Sequence, residues 1–172
     1  MPMPKPIARD AVPAALEKAQ QYRLLNEPLE AESICRDILL VEPDHRDALT
    51  ILLLALTDQF DLHLGVNLDA CKPWLAKMSD EYEREYYSGI MFERWGKSLL
   101  GKGLSHQAVP WIHEAMRCFD RAASLCDDDK PDAILRWNTC ARILDRHGLS
   151  FDIASSLTRD VEGDYSDEVP TR

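Results

Sequence analysis

Apolar residues recur at three- and four-residue steps along most of the chain, the spacing that places them on one face of an α-helix. The sequence has no long alternation of Val, Ile and Thr and no Asn-Gly or Asp-Gly turn, so strands and β-hairpins are not expected. Prolines, glycines and capping residues divide the periodic pattern into separate segments. The pattern therefore predicts an all-α fold.

Eight helices are predicted from these divisions. The first covers about residues 10–25, the second follows the break at 26–28 and runs to 41, the third starts at Asp44 or His45, and the fourth covers about 64–77 with a kink at Pro73. The fifth follows an N-cap at Ser79 or Asp80 and reaches Leu100, the sixth follows a cap at Ser105 and ends at the cluster 127–131, the seventh ends at Arg146, and the eighth covers about ten residues after a cap at Ser150.

The connections between the predicted helices are short, which favours antiparallel pairs and hence four helical hairpins. The centre of the third helix, residues 48–56, is apolar nearly all round, as expected for a helix in the middle of a stack. The fifth helix is rich in aromatic residues, namely Tyr82, Tyr86, Tyr87, Phe92 and Trp95.

At 172 residues the chain has the length of one domain. Four prolines fall within the first thirteen residues, and acidic residues without an apolar period crowd the end of the chain. We therefore expect a disordered N-terminal tail at residues 1–9, a helical domain at 10–161 and an acidic disordered C-terminal tail at 162–172.

The formal net charge is −10, which disfavours nucleic acid and anionic membrane surfaces as partners. No apolar run approaches the roughly 18 residues that span a bilayer, and no secretory leader is recognisable, so a cytoplasmic location is expected. The five cysteines are widely spaced and form no CxxC pair, which favours reduced thiols packed in the core.

One segment has the spacing of small and aromatic residues found in a tetratricopeptide repeat, a helical hairpin of about 34 residues. The residues that carry this spacing are Ala19, Tyr22, Ala31, Cys35, Ile38 and Pro43. A degenerate second unit contains Leu49, Leu52 and Leu56, a third contains Phe92, Trp95, Gly96 and Leu99, and a fourth contains Trp137, Cys140, Ala141 and Leu144. Over roughly residues 11–161 the chain resembles a divergent tetratricopeptide repeat protein.

The resemblance implies a right-handed α-solenoid of antiparallel helical hairpins, in which the first helix of each hairpin lines a concave groove that binds a protein or peptide. An ordinary irregular helical bundle is the alternative. The groove positions of the family fall on Gln20, Arg23, Thr50, Leu54, Asp58, Glu93, Lys97, Asn138, Arg142 and Arg146. The carboxylate clamp of chaperone-binding members is not reproduced, because Gln20 and Leu54 stand where the family has Asn.

Within this set, Asn138, Arg142 and Arg146 step by four residues and form one helical stripe. An Asn and two Arg supply donors suited to a carboxylate or a backbone segment. The alternative is a solvated basic face that pairs with nearby Asp and Glu.

Residues suited to metal binding or nucleophilic catalysis are scattered. Glu42 and His45 form the only Glu-x-x-His motif, and Pro43 interrupts it. No cysteine or serine lies in a recognisable nucleophile elbow. We therefore expect no catalytic residue, no metal and no cofactor.

The sequence thus predicts a non-enzymatic interaction module or scaffold whose partner is a protein or peptide. Two alternatives stay open. One is a small helical-bundle enzyme or ligand-binding protein with a site near the aromatic-rich helix at residues 80–100, and the other is a structural subunit of a larger assembly.

Overall fold

Seven α-helices and one short 3-10 helix make up the part of the protein that the computed structural model describes, which is residues 3–62, 65–126 and 130–149. These ranges contain no β-strand, so the predicted all-α class is confirmed. The 3-10 helix is Arg9–Ala11, and the α-helices are α1 (Val12–Leu24), α2 (Pro28–Val41), α3 (Arg46–Asp58), α4 (Leu68–Leu75), α5 (Glu81–Gly101), α6 (Ser105–Ser124) and α7 (Asp132–Arg146).

The structure describes part of the predicted N-terminal tail, but not the predicted eighth helix or the predicted acidic tail. Residues 3–8 have no regular secondary structure, although Ile7 packs against the core. The predicted eighth helix after Ser150 and the predicted acidic tail at 162–172 lie outside the described residues.

Polar side chains cap the N-termini of three helices. Asp80 accepts a hydrogen bond from the N–H three residues further on at 2.9 Å, as the sequence predicts. His45 caps α3 in the same way at 3.3 Å, and Asn67 caps α4 by accepting from the N–H of Asp69 at 3.0 Å. These bonds satisfy backbone donors that have no partner inside the helix.

Two predicted helix starts are wrong. Ser105 is the first residue of α6 rather than its cap, and Leu104 occupies the cap position without a side-chain hydrogen bond. α4 begins at Leu68 and not at 64, because Gly65 has a φ of 75° and Asn67 is extended. A helix cannot continue through either conformation.

Each helix packs against the next one along the chain, and the odd-numbered helices also contact one another in order: α1 with α3, α3 with α5, and α5 with α7. The most extensive contact joins α5 and α6, which are separated only by residues 102–104. Because so short a connection leaves no room for the chain to cross over, these two helices run antiparallel.

Two apolar clusters hold the helices together. The first lies mainly among α1 to α4 and contains Leu52 and Leu56, and the second lies among α5, α6 and α7 around Phe119. Ile90 belongs to the second cluster, while its neighbour Met91 belongs to the first. Helix α5 therefore joins the two clusters.

Two glycines allow α5 and α6 to approach closely. A Cβ on Gly89 would lie 2.5 Å from the ring of Phe119, and a Cβ on Gly96 would lie 2.5 Å from Cδ1 of Ile112. Both contacts are far inside van der Waals distance, and both facing side chains are fully buried. The packing of α5 on α6 therefore requires glycine at these two positions.

We predict that Gly89→Ala lowers the free energy of unfolding by about 2 kcal/mol, because crowding Phe119 costs more than the gain of about 1 kcal/mol in helix propensity. Gly101→Ala is the matched control, since a Cβ there meets no atom within 4 Å. It should leave stability unchanged or raise it. Urea unfolding of the two variants measures the difference, and equal stabilities would contradict the close approach.

Candidate binding surface on the odd-numbered helices

Charged side chains from α1, α3, α5 and α7 meet on the side where these helices contact one another. We call this group the charged seam. Its side chains come together because each odd-numbered helix lies against the next odd-numbered one. The seam consists of Arg23, Asp58, Glu93, Arg94, Lys97 and Arg136.

Asp58 joins the first three of these helices. Its Oδ2 accepts from Nε of Arg23 at 2.8 Å, and its Oδ1 accepts from Nη1 of Arg94. Arg94 Nη1 also donates to the hydroxyl of Thr57 at 2.6 Å and to the carbonyl of Leu54 at 3.1 Å. Burial lowers the pKa of the Arg94 guanidinium, and Asp58 opposes that effect. The carboxylate thus stabilises the charge of a largely desolvated arginine.

Glu93 connects α5 with α7. Its side chain is fully buried, and its carboxylate forms an ion pair with Lys97 one turn further along α5. Nη1 of Arg136 on α7 lies 3.4 Å from both carboxylate oxygens. Burial disfavours the charge of Arg136, but Glu93 and a hydrogen bond with Tyr86 outweigh it and raise its pKa. Two cations therefore compensate one buried carboxylate.

A surface depression of about 250 Å³ opens beside the seam. Its lining provides both donors and acceptors, and Lys97 on its rim is 43% exposed. A cavity of this size and polarity is suited to one polar side chain of a bound segment rather than to a drug-sized ligand. The lining residues are Thr57, Asp58, Asp61, Arg94 and Lys97.

Six of the ten predicted groove residues lie in the seam or on the contact between α3 and α5 that adjoins it. Arg23, Asp58 and Lys97 lie in the seam and keep part of their side chains exposed. Leu54 contributes its carbonyl, and Thr50 hydrogen-bonds with Tyr87 of α5. Glu93 also lies in the seam, but because it is fully buried it supports the surface and does not offer a contact for a partner.

The other four predicted residues lie apart from the seam. Gln20, Arg142 and Arg146 are exposed, and Asn138 is half-buried. Within the part of the chain that the structure describes, Arg142 and Arg146 form no ion pair. They lie on the side of α7 opposite the buried Cys140. Among the described residues, the side chains of Arg142 and Arg146 therefore face solvent and pair with no Asp or Glu.

Arg94 and Arg136 are the seam residues that the sequence prediction missed. Arg94 follows Glu93 within the apolar and aromatic centre of α5, where an unpaired charge is costly. Two adjacent charges at such a place need partners on neighbouring helices. The two adjacent charges therefore predict oppositely charged partners on neighbouring helices, and the structure shows Asp58 as the partner of Arg94 and Arg136 as a partner of Glu93.

The aromatic residues of α5 pack against one another and against α6. The rings of Tyr82 and Tyr86 stack with centroids 5.8 Å apart, and Tyr86 lies 5.9 Å from Phe119. Phe92 stacks on Trp111 of α6 at 5.6 Å. These contacts use the rings for packing between helices.

Four of the five cysteines are buried in the core, whereas Cys126 is partly exposed. Burial raises the pKa of the Cys35, Cys71, Cys118 and Cys140 thiols to about 12, so they are protonated at neutral pH. Within the described ranges, no three His, Cys, Asp or Glu side chains are grouped so that they would hold a metal ion.

No protein-family model, curated protein or solved structure matches this chain. Function is therefore inferred from the geometry of the chain itself. None of the helices in the described part combines the length and apolar character needed to cross a membrane.

We predict a coupling energy of about 1–3 kcal/mol between Asp58 and Arg94 in a double-mutant cycle with Asp58→Asn and Arg94→Met. Both side chains are less than a quarter exposed, so solvent screens their interaction only partly. The exposed pair Asp69 and Lys72 is the control and should couple by about 0.5 kcal/mol or less. If urea unfolding gave the same coupling energy for both pairs, the partial burial of Asp58 and Arg94 would not strengthen their interaction.

We also predict that iodoacetamide modifies Cys126 of the native protein before the other four cysteines. Cys126 is partly exposed, whereas the others are buried with raised pKa values. A thiol with a pKa of about 12 is ionised to only about one part in 10⁴ at pH 8. Peptide mass spectrometry locates the adducts, and all five should react once urea unfolds the chain. Early modification of Cys35 or Cys140 would contradict the packing.

Proposed function

We propose that the helices stack as an irregular right-handed α-solenoid of tetratricopeptide-like hairpins. The ordered contacts among α1, α3, α5 and α7 support this, since the first helices of successive hairpins contact in this manner. The small residues of the first repeat-like unit also support it. Ala19, Ala31 and Cys35 are completely buried where the resemblance expects two helices to approach closely.

We propose further that the protein is an interaction module that binds a protein or peptide on the odd-numbered helices. The observation that carries this is that four helices, distant in sequence, contribute polar side chains to one partly exposed surface. Arg23, Lys97 and Arg136 are between 25% and 43% exposed there, so a bound segment reaches them. An extended surface built from several helices suits an extended partner.

The charge of this surface favours an acidic segment as the ligand. The seam has four cations and two carboxylates, a surplus of two positive charges, and Asp61 at the depression reduces the surplus to one. Apart from the seam, Arg142 and Arg146 place two further cations on the exposed side of α7. The chain as a whole carries −10, so this surface differs in sign from the rest of the molecule. The positive surface attracts an acidic partner, and the negative charge of the chain as a whole disfavours nucleic acid.

A structural subunit of a larger assembly is the second candidate. Permanent interfaces are more apolar than transient ones, and the seam is polar and partly solvated. The composition of the surface therefore favours a partner that binds and dissociates. The ring contacts of α5 favour the interaction module over the enzyme alternative, because Tyr82 stacks on Tyr86 and Phe92 stacks on Trp111, so these rings are used for packing between helices.

We predict that Arg142→Glu with Arg146→Glu reduces recovery of a native partner at least about tenfold, because the reversed stripe repels an acidic segment. Both side chains are exposed, so thermal stability should stay within about 0.5 kcal/mol of the wild type. Quantitative affinity capture from the source cells with the immobilised full-length chain measures the recovery.

The matched control is Lys18→Glu with Lys72→Glu, which makes the same charge change at exposed positions of α1 and α4. This control should recover the partner as the wild type does. If the two double variants recover equal amounts, the stripe of Arg142 and Arg146 on α7 is not part of the binding site.

A further inference from the structure

A cavity of about 280 Å³ opens at the start of α3. Its floor is apolar, since it is formed by Leu49 and Met78, which both belong to the first apolar cluster. Its rim consists of polar and charged side chains from the start of α3, from the connection between α4 and α5, and from the first turn of α5. We call this cavity the α3 pocket. It shares none of its described lining residues with the depression beside the seam.

The charges on the described rim of the α3 pocket cancel. Arg46 and Glu83 form a two-point ion pair, with Nε at 2.8 Å from Oε2 and Nη2 at 2.6 Å from Oε1. Lys77 and Asp44 have opposite charges, and Nζ of Lys77 lies 5.2 Å from the ring centroid of Trp74. The pocket therefore does not favour a charged group, in contrast to the seam. An apolar floor below a neutral polar rim suits an apolar side chain whose main chain stays at the rim.

Hydrogen bonds fix the shape of the α3 pocket on the side of the connection between α4 and α5. Nη1 of Arg84 donates to the carbonyl of Met78 at 3.0 Å, and the N–H of Met78 donates to the carbonyl of Leu75 at 3.1 Å. Asp80, which caps α5, follows directly after Ser79 at the rim. Because the lining is already ordered, a ligand that enters the pocket loses little binding energy to ordering it.

The α3 pocket and the depression beside the seam lie at the two ends of one line of contacts between α3 and α5. Three pairs form this line, namely Arg46 with Glu83, Thr50 with Tyr87, and Asp58 with Arg94. The partners are 37, 37 and 36 positions apart in the sequence, so the two helices run parallel and keep their register along the line. The first pair lines the pocket and the last pair lines the depression. One segment that lies along α3 and α5 therefore reaches both.

The separation of the two cavities sets a spacing within such a segment. Twelve residues of α3 lead from Arg46 to Asp58, and at about 1.5 Å per residue they cover about 18 Å. An extended chain advances about 3.3 Å per residue, so about five or six of its residues cover the same distance.

We propose that the bound segment places one large apolar side chain in the α3 pocket, about five or six residues away from an acidic residue that contacts Lys97. This inference rests on the proposed function and narrows the partner to an extended acidic segment with a Leu, Ile, Met or Phe anchor. The acidic residue supplies the attraction to the seam, and the apolar anchor fixes the position of the segment along α3 and α5.

The test selects ligands on the immobilised full-length chain from a display library of random peptides about 16 residues long, enough to span both cavities. The enriched peptides should share an acidic residue and a large apolar residue about five or six positions apart. One such peptide, added to protein with labelled methionine methyl groups, should shift the methyl resonance of Met78. The resonance of Met91, which is 2% exposed, should stay in place.

A variant that fills the pocket separates the two ends of the ligand. Ser79→Trp places a large ring at the rim and should weaken binding of the selected peptide at least about tenfold, because its apolar side chain is no longer buried. The same peptide with Ala in place of its apolar residue should bind Ser79→Trp and the wild type within about twofold of each other. Ser33→Trp, at an exposed position of α2, is the matched control and should bind the selected peptide as the wild type does.

Lys97→Gln tests the other end of the ligand and should weaken binding of both peptides at least about threefold, because it removes the charge that meets the acidic residue. If Met78 does not shift, or if Ser79→Trp and Ser33→Trp bind equally, the segment does not enter the α3 pocket. The proposed function survives that result when Lys97→Gln still weakens binding. If Lys97→Gln leaves binding unchanged, the seam is not part of the site, and if no peptide is enriched, the proposed function itself fails. Either of these two results overturns the inference as well.

Discussion

One turn of α5 holds the rest of the structure in place. Side chains from residues 90–94 reach both apolar clusters and two neighbouring helices, because successive helical residues are separated by about 100° around the axis. Ile90 enters the second apolar cluster and Met91 enters the first. Glu93 pairs with α7, and Arg94 pairs with α3. A single turn therefore fixes the positions of both clusters and of two neighbouring helices.

The ion pairs at this turn define positions more than they add stability. Removing a carboxylate and an arginine from water costs several kcal/mol each, and a good pair roughly repays that cost. A protein in which both members of a pair are replaced by apolar residues is often as stable as the original, whereas removal of one member leaves a buried charge without a partner. Glu93 has two cationic partners on different helices, so a shifted arrangement of α7 leaves it undercompensated. We infer that the seam selects one arrangement of the helices.

The sequence predicts the helices well and the seam only in part. Caps and proline breaks act locally, so Asp80 and the break before Pro28 are readable from the sequence. The start of α4 was misplaced because Leu64 continues the apolar period of Leu68 across Gly65. Seam partners depend on which helices lie side by side. Asp58 and Arg94 are 36 residues apart, and no local signal links them.

The pairing within the seam also limits which of its groups are free to contact the proposed partner. Both oxygens of Asp58 and Nη1 of Arg94 are already engaged, so these groups shape the surface without offering free contacts. Under the proposed function, the donors open to a partner are those of cations with solvent access, chiefly Lys97 together with Arg142 and Arg146. Lys97 is tied to its buried carboxylate, whereas the two arginines on α7 are not tied to any described acid. Because a solvated arginine retains its donors, the described surface has most capacity to bind at α7.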